Sequence, residues 1–126
     1  MTVPRIPRIF FVVPGLLAAL LVPALTAAPK TLPAGAVGMI NDDFAPDTVT
    51  IHVDHRLTLF NNSHVVHVIG PGQDTHIYPE RDVPIRGFHL METNSVFTTG
   101  EWKTPGKFYL TCSVHPGMTL TVVVKS

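Results

Sequence analysis

The stretch "FYLTCSVHPGM", Phe108 to Met118, holds the only cysteine of the 126-residue chain. His115 follows Cys112 by three positions and Met118 by six, so a thiol, an imidazole and a thioether sit in one short segment. "KFYLT" before the cysteine and "TLTVVV" after the methionine read as strands, with "TPG" and "HPGM" as turns. Three soft or borderline donors are thus carried on a tight loop between two strands.

Working outward, "TVTIHV" places Val49, Ile51 and Val53 on one face and Thr48, Thr50 and His52 on the other. That is the period of two expected of a half-buried strand. "RLTLF" and "HVVHVI" are further strand candidates, joined by turn residues in "VDHR" and "NNS". No long stretch has helical periodicity with caps, apart from a weak signal over Arg86 to Met91. Several short strands within fewer than a hundred residues predict an all-β, antiparallel sandwich or small barrel. Residues 71–94 fall in a long excursion rich in Gly, Pro and charge, to which the sequence assigns at most one short helix and no role.

Composition bounds the rest. A 45% hydrophobic fraction with 14% charged residues describes one globular domain. The N-terminus has basic Arg5 and Arg8, an apolar run from Ile9 to Leu25 and then small residues, the order of a secretory signal. Residues 1–28 therefore read as an export segment cleaved near Ala27 or Ala28, and 29–126 as the single domain. Removing Arg5 and Arg8 leaves seven Lys and Arg against nine Asp and Glu, a formal charge of −2 that argues against a nucleic-acid face. An exported chain, in the periplasm, cell envelope or outside, would expose a free thiol to oxidation. One cysteine cannot form an internal disulfide, so Cys112 is an intermolecular link, a buried thiol or a metal ligand.

Thiolate, imidazole and thioether together suit copper, because Cu(I) favours sulfur and Cu(II) nitrogen. Two histidines, one cysteine and a weak axial methionine make a blue-copper site. The second histidine is to be sought in "FNNSHVVHVIG", which offers His64 and His67. Three positions apart on a regular strand, they point to opposite faces, and only one can enter the site.

With these residues in place, the chain resembles a cupredoxin of the plastocyanin, pseudoazurin and amicyanin type. "FAPDTVTIHVDHRLTLFNNSHVVHVI" is similar to that family's "F.P..V.V..G..V.W.N.....HNV" pattern, and "TPGKFYLTCSVHPGMTLTVVV" to its "PG.Y.Y.C..H..M.G.I.V" ending. The similarity runs from about Phe44 to Val124, and the short spacing from Cys112 to Met118 is most like that of amicyanin. The resemblance implies a Greek-key β-sandwich, one type 1 copper ion and the ligands His67, Cys112, His115 and Met118. It also implies one-electron shuttling by a monomer that spans no membrane after cleavage. Weak, transient docking of redox partners is then expected near His115, where Val114 and Pro116 form part of an apolar patch.

Three positions depart from the family pattern. Val68 stands where an asparagine ties the two ligand loops together, His55 where a turn has glycine, and Leu120 where glycine follows the methionine. His52, His55, His64, His76 and His89 offer no pair with convincing spacing for a second metal. Trp102 and Phe108 read as core, and Asp42 and Asp43 as a solvated turn. In copper enzymes a histidine beside the cysteine wires it to a catalytic copper, whereas the neighbours here are Thr111 and Ser113. Electron carriage is therefore expected rather than catalysis, with copper storage or delivery in the envelope as the alternative.

Overall fold

The computed structural model describes residues 32–126, so the export segment expected over 1–28 lies outside the described residues. In chain order the strands are β1 (Ala36–Ile40), β2 (Asp43–Ala45), β3 (Thr48–His52), β4 (Arg56–Asn61) and β5 (His67–Gln73). They are followed by β6 (His76–Ile77), β7 (His89–Met91), β8 (Val96–Glu101), β9 (Gly106–Cys112) and β10 (Thr119–Lys125). One sheet has the order β2-β1-β4-β8, the other β3-β10-β9-β5-β6, with β7 paired to β5. The expected all-β sandwich is present. Its sheets are mixed, because β1 runs parallel to β4 and β3 parallel to β10.

Alternation builds the core. Val49 and Ile51 of β3, Leu57 and Leu59 of β4, and Leu120, Val122 and Val124 of β10 are buried between more exposed neighbours. Each such side chain contributes about 1.5–3 kcal/mol by leaving water. Leu120, where the family pattern has glycine, is fully buried in this core. The turn before β4 takes its left-handed φ of 66° at Asp54 rather than at His55. Asp54 is a residue type that tolerates that conformation.

Three sequence expectations change. The strand expected over "HVVHVI" begins only at His67, because Asn61 Nδ2 donates to Val65 O and Ser63 Oγ accepts from Val65 N. Side-chain bonds thus capture the main chain that a ladder would have used. The helical signal over Arg86 to Met91 gives instead strand β7, since Gly87 adopts a left-handed φ of 67° and His89, Leu90 and Met91 pair with β5. The solvated turn expected at Asp42 and Asp43 is exposed as expected, but Asp43 opens β2.

The excursion proves to be a bridge between the sheets. β7 attaches it to β5, Gly100 N–H donates to Pro84 O beside β8, and Val83 and Ile85 are buried in the common core.

The single tryptophan sits in that core, as expected, with its ring 5.6 Å from that of the partly buried Phe108. Its indole N–H donates to Thr99 Oγ1 at 3.0 Å, and Leu57 N–H donates to the same oxygen at 3.1 Å. Thr99, Trp102 and Leu57 are fully buried. Thr99→Val keeps the shape but strands two donors, each costing about 1–3 kcal/mol. We expect the urea midpoint, followed by Trp102 fluorescence, to fall accordingly; an unchanged midpoint would show that the hydroxyl is dispensable.

Candidate metal centre

Strand β9 delivers Cys112 at its end, where Leu110, Thr111 and Cys112 are all fully buried. The chain then closes a tight loop. Cys112 N–H donates to Met118 O at 3.1 Å, Met118 N–H to His115 O at 3.3 Å, and the Thr111 hydroxyl to Met118 O at 2.9 Å. Gly117 supplies the left-handed φ of 80° that the closure requires. Met118 returns to the core, fully buried, while His115 stays partly exposed.

Strand β5 supplies the other side. Its register sets Ile69 opposite Cys112, so His67, two residues earlier, lies just beyond the end of that ladder. Ser113 N–H donates to Val68 O at 2.9 Å. The two loops are therefore tied through the main chain at Val68, where the family's asparagine side chain is missing.

The result is a cluster in which ligand atoms of His67, Cys112 and His115 all lie within 4.8 Å of one another. Cys112 Sγ is 3.2 Å from His115 Nδ1, and the rings of His67 and His115 are 4.7 Å apart at 59°. Of the two candidate histidines, His67 is brought into the cluster and His64 faces solvent. His76 is exposed, with Nδ1 2.8 Å from Asp74 O, and His89 stacks on Phe97 at 3.9 Å. His52 and His55 meet edge-on at 6.1 Å.

His67 carries the most informative feature. It is fully buried, Nε2 is 2.9 Å from Ser63 Oγ, and Nδ1 has no hydrogen-bond partner. A buried polar atom left unpaired costs about 1–3 kcal/mol. A metal ion bound to Nδ1, beside a thiol and a second imidazole, would satisfy it, and this donor set of two nitrogens and one sulfur fits a soft or borderline ion. Ser63 hydrogen-bonds His67 and Asn61 hydrogen-bonds Ser63, a side-chain chain that the reading of "NNS" as a plain turn did not single out. The available signal was a hydroxyl four positions before the histidine.

Burial, followed by the charge of a protonated His115, holds the imidazole of His67 below its ordinary value of 6.5, with Asp42 pulling the other way. Below about pH 6.5 the unfolded chain therefore binds a proton that the folded chain refuses, and stability falls by up to about 1.4 kcal/mol per pH unit until the folded-state pKa is passed. Unfolding of the metal-free protein by urea at decreasing pH should show this loss, and His67→Gln should remove that part of it. Equal pH dependence in the two proteins would contradict the assignment.

No protein-family model matches the chain, and no curated protein does. Solved structures do. The purple cupredoxin of Nitrosopumilus maritimus is 18% identical with a TM-score of 0.59, the match covering 71% of this chain and 98% of that one. An oxidised amicyanin variant is 17% identical at a TM-score of 0.59, over 79% of this chain and 89% of its own. A copper-containing nitrite reductase of Thermus scotoductus is 19% identical at a TM-score of 0.56, over 82% of this chain but 25% of the enzyme. From these likenesses and the two-sheet architecture, the chain has the cupredoxin fold.

Proposed function

We propose that this chain is a type 1, or blue, copper protein that carries single electrons between exported redox partners. The observation that carries the reading is the buried, unpartnered Nδ1 of His67, a residue clustered with Cys112 and His115. His67, Cys112 and His115 are the proposed equatorial ligands and Met118 the weak axial one. Copper supplies the one-electron couple between Cu(I) and Cu(II).

The chain's own residues supply rigidity, dryness and access. Main-chain bonds from Cys112 and Met118, the Thr111 hydroxyl and the Ser113–Val68 tie hold the loop at several points, which limits ligand movement when charge changes. Full burial of His67, Cys112 and Met118 keeps water from the sulfur atoms. His115 is the partly exposed member and the proposed port for electrons. Exposed Val114 follows Cys112 closely, and exposed Val65 and Val66 precede His67. Apolar residues beside a port suit brief, small-area docking.

Thr111 and Ser113 beside Cys112 support carriage over catalysis, since neither is an imidazole that could lead to a second copper. The likeness to nitrite reductase extends to only a quarter of that enzyme. Export through residues 1–28 and a monomeric state complete the proposal.

Cu(II) added to the metal-free protein should give an intense visible thiolate-to-copper band that bleaches on reduction and returns on oxidation. Cys112→Ala and His67→Ala should abolish the band and His64→Ala should keep it. Loss in His64→Ala with retention in His67→Ala would overturn the ligand assignment, and copper released on reduction would indicate delivery instead of electron transfer.

A further inference from the structure

The hydrogen bonds around Ser63 determine where each proton sits, and they end at the proposed copper ligand. Asn61 Nδ2 lies 2.8, 3.1 and 3.0 Å from the carbonyl oxygens of Val65, Met91 and Glu92. Carbonyls only accept, so the amide nitrogen must face them and Oδ1 must face Ser63. Oδ1 indeed accepts the main-chain N–H of Ser63 at 3.0 Å.

Ser63 Oγ is 2.6 Å from the same Oδ1. Two oxygens that close need a hydrogen between them, and an amide oxygen carries none, so the Ser63 hydroxyl donates to Asn61. Val65 O, 3.1 Å from Oγ, is a longer alternative already taken by Asn61 Nδ2. Either choice leaves Ser63 Oγ only lone pairs for its other neighbours. One accepts Val65 N–H at 3.3 Å, and another faces His67 Nε2 at 2.9 Å. Nε2 must then carry the ring hydrogen. A neutral imidazole has only one, so Nδ1, the buried atom without a partner, holds the free lone pair.

We infer that Ser63, oriented by Asn61, is a positioning residue that selects the Nε2–H tautomer of His67. Nδ1 is thereby ready to bind before any metal arrives. The inference rests on the copper reading for its purpose, but the tautomer itself is a property of the metal-free protein. Asn61, Ser63 and His67 are all fully or almost fully buried, so water does not compete for these bonds. A partner on the far nitrogen of a metal-binding histidine fixes both ring orientation and tautomer.

Long-range 1H–15N correlation spectra of the metal-free protein at mildly alkaline pH read the tautomer directly. The wild-type protein should show His67 with its proton on Nε2 alone. Ser63→Ala should give a mixture of tautomers, and its affinity for Zn(II), used as a redox-silent probe, should fall about tenfold. Ser63→Thr, which keeps the hydroxyl, should restore both. A wild-type His67 protonated on Nδ1 would overturn the inference without need of any variant, as would a Ser63→Ala protein with unchanged tautomer and affinity. Failure of the wild-type protein to form a coloured copper complex would instead count against the copper reading, with the tautomer still decided by the metal-free spectrum.

Discussion

The pairing of β5 with β9, carried past the end of the ladder by Ser113 N–H on Val68 O, brings His67 and Cys112 together from distant parts of the chain. Ile69 opposite Cys112 sets the register, and a slip of one residue would turn His67 away from the sulfur. Because β9 continues into β10 through a loop closed on Met118 O, the same pairing also places His115 and Met118. The remaining strands surround this junction with the apolar core that holds it.

Holding a dry cluster of donors opposes folding. The unpaired Nδ1 of His67 costs about 1–3 kcal/mol. One or two well-buried core side chains at about 1.5–3 kcal/mol each offset that. An ion that binds only the folded arrangement returns this free energy as stability, so the metal-free site is poised for binding at the expense of its own fold.

Much of this was legible in the sequence where one face of a strand is buried and the other wet. β3, β4 and β10 show that alternation, and "TCSVHPGM" shows its donors in order. β1 is buried along nearly its whole length and so has no alternation to read, while β8 is mostly polar and exposed. Periodicity allowed only one of His64 and His67 to face inward without saying which; the resemblance singled out His67, and the bends made by Asn61 and Ser63 show how it is turned in. Those bends come from side chains bonding to nearby main chain, a signal that hydrophobic patterning does not carry. Val68 illustrates the converse, since the expected loss of a tie between the ligand loops is met by its own carbonyl.

The cupredoxin fold occurs both in a small cupredoxin and as part of a nitrite reductase, so the proposed function of this chain rests on the cluster of His67, Cys112 and His115 rather than on its architecture. The most direct measurement is X-ray absorption at the copper edge of the Cu(II)-loaded protein. The account predicts a first shell of one thiolate sulfur and two imidazole nitrogens. A shell of nitrogen and oxygen without that sulfur would contradict it.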